Sequence, residues 1–511
     1  MIQGTMSGAG KSILTAGILR VLRQDGYRVA PFKSQNMALN SYVTREGLEM
    51  GRAQVVQAAA AGMEPSADMN PILLKPMGDT TSQVIVNGRP IGKMRAADYY
   101  KVKKSLVPDI LAAYERLRRR SDIIVIEGAG SPVEINLREG DFVNMGLAEM
   151  VDAPVLLAGN IDPGGVFAQL LGTIQLLRPA ERARVKGLII NKFRGDVSLL
   201  RPGLDMFAEY CDIPFAGVVP WIRLDLDEED SMSEKLAGRN TGAGEAGGPA
   251  SLVDIAVIRL PYISNYTDFG SLERVPGVTV RYVSEASSLG QPDLIILPGT
   301  KNTIGDLRWL RESGMEARIR EEAGSSLLIG ICGGFQMLGR RILDPLCSET
   351  GGSEDGLGLL PIDTIFSADK HTRQKQGTTG KLHGVWAPLS GLPVSGYEIH
   401  MGRTEYIGDG DQETSIFANL TNEDPDGAVC SNVLGTYLHG IFDETPFRSA
   451  LLNLLRNRKG STCSAEGDAE ALHTLSGLES ARQTQDRQLD LLANVLRESL
   501  DWDLIYRAIG I

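Results

Sequence analysis

The sequence predicts an α/β protein made of two doubly wound, mostly parallel sheets. Short apolar runs near 26–32, 122–126, 153–158 and 187–191, and again near 252–260, 293–297 and 327–330, are separated by stretches with helical periodicity. That is the pattern of right-handed strand–helix–strand crossovers. In each set one run opens into a glycine-rich turn and then a helix, at 4–12 and at 330–338. Between the sets, 224–250 turns acidic and then glycine-rich, a composition that cannot bury a core and reads as a linker.

The expected plan is a first domain over 1–223, a linker over 224–250, a second domain over 251–455, and a polar segment with a closing helix over 456–511. A chain of 511 residues carries a prior of roughly two to four domains. With 42% hydrophobic and 23% charged residues, the composition is that of an ordinary globular protein. The net charge of −12 argues against a general binder of nucleic acid or of anionic membranes. No apolar run approaches the roughly 20 residues a membrane helix needs, and no secretory signal is expected. The five cysteines (Cys211, Cys332, Cys347, Cys430 and Cys463) form no C-x-x-C. No zinc site is expected, and the expected location is the reducing cytoplasm.

In chain order, Gly4-Thr5-Met6-Ser7-Gly8-Ala9-Gly10-Lys11-Ser12 precedes a helical run over 13–23. Backbone N–H groups and the helix dipole there can hold a β-phosphate, Lys11 offsets charge, and Ser12 offers an oxygen to Mg²⁺. Only Met1, Ile2 and Gln3 stand ahead of the loop, where a strand of about five residues is expected. Either the first strand is unusually short or the natural chain begins upstream. The 26–32 strand then runs into Lys33-Ser34-Gln35-Asn36-Met37-Ala38-Leu39-Asn40-Ser41, a stretch too polar for a core. The 122–126 run ends in Glu127-Gly128-Ala129-Gly130. Ligands of parallel sheets sit at the carboxyl ends of strands, so Glu127 is a candidate Mg²⁺ ligand. The 187–191 run ends at Asn191, whose amide has the paired donor and acceptor needed to read a purine edge.

In the second set, 293–297 leads to Pro298-Gly299-Thr300, and 327–331 leads to Cys332-Gly333-Gly334 and a helix. A cysteine at such a turn is pushed out of the sheet beside a helix N-terminus, a setting that favours the thiolate and supplies oxyanion donors. Its base is expected in Tyr437-Leu438-His439-Gly440, with His400 as the alternative. An amphipathic stretch over 489–508 reads as a closing helix packed on a domain.

Gly330-Ile331-Cys332-Gly333-Gly334-Phe335-Gln336-Met337-Leu338-Gly339 with Tyr437-Leu438-His439-Gly440 resembles a class I glutamine amidotransferase domain. The resemblance implies that Cys332 attacks the side-chain amide of glutamine, with His439 as base and the N–H groups of Gly299 and Gly333 holding the oxyanion. The family's usual Glu two residues after the His is Ile441 here, as in the cobyrinate-amidating branch. The 4–12 loop, with Thr5 where the strict motif has Gly, is similar to that of dethiobiotin synthetase, a P-loop NTPase-like domain. Residues 33–41, together with Met69-Asn70-Pro71-Ile72-Leu73-Leu74-Lys75-Pro76, resemble the cobyric acid synthase family, and the likeness covers nearly the whole chain.

That resemblance implies nucleotide binding by Gly4, Thr5, Gly8, Gly10, Lys11, Ser12 and Asn191, and corrinoid binding by Lys33, Gln35, Asn36 and Asn40. The family usually carries Asp and Arg where this chain has Asn160 and Pro163, so the roles of those two positions are not carried over. The implied activity uses ATP, Mg²⁺ and L-glutamine to amidate the b, d, e and g carboxylates of adenosylcobyrinic acid a,c-diamide through phosphorylated carboxylates. The nearest alternative is a cobyrinic acid a,c-diamide synthase, and one of another class is a partition-type regulatory ATPase. No nucleic-acid or membrane partner is expected, and a homo-oligomer is left open.

Overall fold

The computed structural model describes residues 1–77, 80–226, 253–407, 414–421, 425–459 and 480–511. They form two compact units. The first comprises Met1–Ala38, Glu49–Asp230 and Thr484–Ile511; the second comprises Leu39–Leu48 and Ser231–Gln483. Two segments therefore depart from the expected plan. Residues 39–48, placed by sequence in the first domain, group with the second unit, and the closing helical region groups with the first. Most of the expected linker, 227–250, lies outside the described residues. Its first residues are not linker-like, since Leu224 and Leu226 pack into the first unit's apolar core.

In the first unit, strands Ile2–Gly4, Val155–Asn160, Val185–Phe193 and Phe215–Pro220 form a parallel sheet in that order. Val29–Phe32 and Ile123–Ile126 form a parallel pair, tied to that sheet by a bridge between Ile2 and Glu127. The first strand is three residues long. The polar stretches are not simple loops: Gln35–Met37 pairs with Ile72–Pro76, which continues antiparallel into Thr81–Val86 and Arg89–Arg95.

Helix Lys11–Gln24 buries Leu14, Ile18 and Leu22, spaced four apart on one face, against Ile2, Val29 and Val125. Its other neighbour is the C-terminal region. A Cβ on Gly17 would stand 2.9 Å from Leu492 Cγ, so glycine there lets the two helices approach closely. That region is two helices, Ala481–Ser499 and Trp502–Ile509, rather than the single one expected. The break falls at Asp501, whose N–H donates to the Ala216 carbonyl (2.7 Å) and whose carboxylate caps the second helix by accepting from Leu504 N–H (2.9 Å). No helix among the described residues is long and apolar enough to cross a membrane.

The second unit is built on one large sheet. Val278–Val283, Val253–Ile258, Leu294–Leu297, Leu327–Ile331 and Val433–Thr436 lie side by side and parallel. Beyond Val433–Thr436 the sheet turns antiparallel through Pro425–Cys430 and Thr414–Leu420 to the long strand Ile362–Thr379, which pairs with Pro393–Tyr406. This antiparallel half has no counterpart in the sequence reading. Its strands carry many exposed polar residues and lack continuous apolar runs.

Candidate active site

Strand Leu327–Ile331 is buried throughout and ends at Cys332, whose backbone (φ 52°, ψ −106°) is one that residues with a Cβ rarely adopt. Helix Gly333–Leu338 follows directly. The Cys332 N–H donates to the Thr436 carbonyl (2.8 Å), which pins the bend to the neighbouring strand. A Cβ on Gly333 would stand 3.1 Å from the Thr300 nitrogen, and one on Gly299 2.8 Å from His439 Cε1. Glycine at these two positions allows the 298–300 loop to close on the bend and on the imidazole.

His439 follows strand Val433–Thr436 and is 1% exposed. Its Nδ1 lies 2.7 Å from Asp268 Oδ2, and Asp268 Oδ1 accepts from the Gly440 N–H (3.1 Å). The Cys332 thiol donates to the Ile399 carbonyl (3.7 Å), and its sulfur acts electrostatically on the same imidazole. Burial pushes His439 down, but the Asp268 charge and hydrogen bond, with the charge of the Cys332 sulfur, outweigh it and raise the imidazole to about 10. The ring of Tyr397 stacks on His439 at 5.3 Å and 21°, and the two residues exchange backbone hydrogen bonds of 3.1 and 2.9 Å.

Cys332, His439, Gly299 and Gly333 are thus brought together, and Asp268 completes the set. Sequence reasoning missed Asp268 because it lies more than a hundred positions from His439 and carries no motif. The nearer acids are engaged elsewhere: Asp443 accepts from Ser271 Oγ and Glu444 from Ser395 Oγ. The alternative base, His400, stacks on Tyr437 at 3.8 Å, with Nδ1 2.8 Å from the Gly402 carbonyl. Burial pushes it down to about 3, too low to hold a thiol proton near neutral pH.

In the first unit, Lys11 Nζ donates to the carbonyls of Met6 (3.0 Å), Ser7 (3.2 Å) and Gly130 (3.2 Å), curling the loop around the ammonium. Ser12 Oγ donates to Glu127 Oε1 (2.7 Å), Lys33 Nζ reaches the same oxygen (3.0 Å), and Gln57 Nε2 donates to Oε2 (2.5 Å). Burial pushes the Glu127 carboxyl up, but Lys33 and the hydrogen bonds from Gln57 and Ser12 hold it below its ordinary value. An ionised carboxylate and a hydroxyl side by side at a helix N-terminus fit Mg²⁺, which shares its remaining positions with phosphate and water. Among the described residues no cluster of three His, Cys, Asp or Glu offers another metal site.

Asn191 Nδ2 donates to the Ala9 carbonyl (2.9 Å) and Asn160 Nδ2 to the Gly8 carbonyl (3.1 Å), so both strand ends brace the loop. Gly10 has φ 82°, and a Cβ there would collide with the Asn191 amide. Thr5 Oγ1 donates to Gln169 Oε1 (3.1 Å), and a Cβ on Gly4 would stand 2.8 Å from that of Ala9. Of the expected corrinoid set, Lys33 sits at the phosphate end on Glu127. Gln35 Oε1 accepts from Tyr99 Oη (2.5 Å), and Asn36 Nδ2 donates to Gln54 Oε1 (3.0 Å). Asn40 is buried and falls in the second unit.

A phosphate loop on one parallel sheet and a cysteine–imidazole–carboxylate set on another define a glutamine-dependent amide ligase. Residues 1–232 match the CobQ/CobB/MinD/ParA nucleotide binding domain, and residues 254–447 match the CobB/CobQ-like glutamine amidotransferase domain. The cobyric acid synthase of Ruminiclostridium cellulolyticum is 52% identical over 513 residues, covering 100% of this chain and 96% of its own. That of Lachnoclostridium phytofermentans is 52% identical over 521 residues (99% and 98%), and that of Streptococcus sanguinis 49% over 518 residues (100% and 98%). The chain belongs to the cobyric acid synthase family, the amide ligases of cobalamin biosynthesis that join a nucleotide-binding domain to a glutamine amidotransferase domain.

Proposed function

We propose that this chain uses ATP and L-glutamine to amidate the b, d, e and g carboxylates of adenosylcobyrinic acid a,c-diamide, giving adenosylcobyric acid. The observation that carries the proposal is the presence on one chain of the Lys11–Ser12–Glu127 loop site and the Cys332–His439–Asp268 set. In the second unit, the thiolate of Cys332 attacks the side-chain carbonyl carbon of glutamine. The oxyanion is held by the N–H groups of Gly299 and Gly333. His439 gives its proton to the departing ammonia, and water then releases glutamate from the thioester. Asp268 keeps the imidazole oriented throughout.

In the first unit, a substrate carboxylate oxygen attacks the γ-phosphorus of ATP and ADP leaves. Ammonia then displaces phosphate from the acyl phosphate. Gly4, Thr5, Gly8 and Gly10 shape the loop that receives the phosphates, Lys11 offsets their charge, and Asn191 holds the loop from behind. Ser12 and Glu127 would hold Mg²⁺, which neutralises the phosphate oxygens. Lys33, Gln35, Asn36 and Asn40 are assigned to the corrinoid. No membrane or nucleic-acid partner enters this scheme.

Replacing Cys332 with Ala is expected to abolish amidation driven by glutamine while sparing amidation driven by ammonium salts. Mass spectrometry of the corrinoid product reads this directly, since each acid converted to amide shifts the mass. Loss of both activities would sink the division of labour. Conversion of the a and c acids instead would point to the a,c-diamide synthase.

A further inference from the structure

Residues 39–48 come from the middle of the N-terminal sequence yet are part of the second unit. Their contacts there converge on His439 from two sides. On one side, the Ser41 N–H donates to Asn265 Oδ1 (3.0 Å). Asn265 is 1% exposed, holds the left-handed backbone (φ 54°), and opens the tight turn Tyr266–Phe269. That turn carries Asp268, whose N–H donates to the Asn265 carbonyl (3.0 Å) and whose carboxylate holds His439 Nδ1. On the other side, the ring of Tyr42 packs on that of Tyr397 (5.4 Å), and Tyr397 stacks on His439. Val43, Tyr397 and Ile399 form a small apolar cluster with Tyr42. Gln374 Nε2 donates to Tyr42 Oη (2.7 Å) and the Val43 carbonyl (2.9 Å), and Thr372 Oγ1 donates to the Gly47 carbonyl (2.8 Å), fixing the segment at both ends.

We propose that Ser41 and Tyr42 are positioning residues of the glutaminase reaction: the first fixes the turn that presents Asp268, and the second backs the ring that covers His439. The proposal rests on the reading that Cys332 and His439 hydrolyse glutamine. It means that the amidase base is supported by a stretch of chain outside the amidotransferase domain proper, beginning three positions after Asn36 in sequence.

The test uses the full chain with Tyr42→Ala, Tyr42→Phe and Asn265→Gly, the last accepting the positive φ while deleting the acceptor of Ser41. Tyr42→Ala and Asn265→Gly are each expected to lower kcat for glutamine hydrolysis by about tenfold or more with KM within about twofold, because a small misplacement of the base costs rate rather than binding. Ammonium-driven amidation should be unchanged, and Tyr42→Phe, which keeps the ring, should stay near wild type. A wild-type kcat in Tyr42→Ala or Asn265→Gly overturns the proposal. So does an equal loss of ammonium-driven activity, or a Tyr42→Phe as impaired as the alanine variant. Should Tyr42→Ala not fold, Asn265→Gly alone decides. Absence of glutamine hydrolysis in the wild-type chain would instead remove the reading beneath it.

Discussion

Asp268→Asn would leave a hydrogen-bonding group beside His439 Nδ1 but remove the charge that keeps the imidazole protonated. Glutamine hydrolysis is expected to fall by about 10²-fold or more, while ammonium-driven amidation persists. Stability should respond to pH in a definite sense. The folded state raises His439 from an ordinary 6.5 to about 10, so its contribution is complete below 6.5, declines between the two values and is gone above about 10. Urea unfolding of wild type and Asp268→Asn should therefore differ most near pH 6 and converge toward pH 10. A second test concerns Lys75 and Glu49 in the first unit, paired at 2.7 Å with side chains 4% and 0% exposed. Glu49→Ala removes a carboxylate partner from a buried ammonium and should cost up to about 3–5 kcal/mol in the first unit's unfolding, with Lys75→Met in the same chain restoring part of it. Cys332 and His439 were legible because their glycine neighbours mark turns. Asp268 and Glu49 were not, because a buried acid is recognised only by the partner that folding brings to it.

Among elements, the bend at Cys332 was readable as an apolar strand meeting glycines, and helix Lys11–Gln24 as an amphipathic run behind a loop. Strand Ile362–Thr379 was not, since its exposed polar residues hide the alternation that pairing with Pro393–Tyr406 creates. The C-terminal helices show the same limit from the other direction. Their leucine spacing announces an apolar face, but only contacts reveal that Leu489, Leu492 and Leu496 cover the helix behind the phosphate loop. Leu492 is fully buried. Leu492→Ala should cost about 2–5 kcal/mol and lower the melting of the first unit, read through loss of nucleotide binding on heating.

Across the whole molecule, two parallel-sheet units were legible from the repeat of strand and helix patterns. The membership of 39–48 and of the closing helices was not, because chain order does not encode which core a segment joins. A chain ended at 483 lacks Leu489, Leu492, Leu496 and Ile505 of the first unit's core. It should lose cooperative unfolding of that unit and its nucleotide binding, with limited proteolysis cutting first within 1–226.

The return of the carboxyl end to the first unit also has a consequence for biogenesis. A ribosome releases residues in order, and the helix that seals the first core against water emerges after nearly all of the second unit. The earliest-made half must therefore wait, its apolar face uncovered, while the later-made half can already complete its sheet. Birth order and finishing order are reversed in this chain.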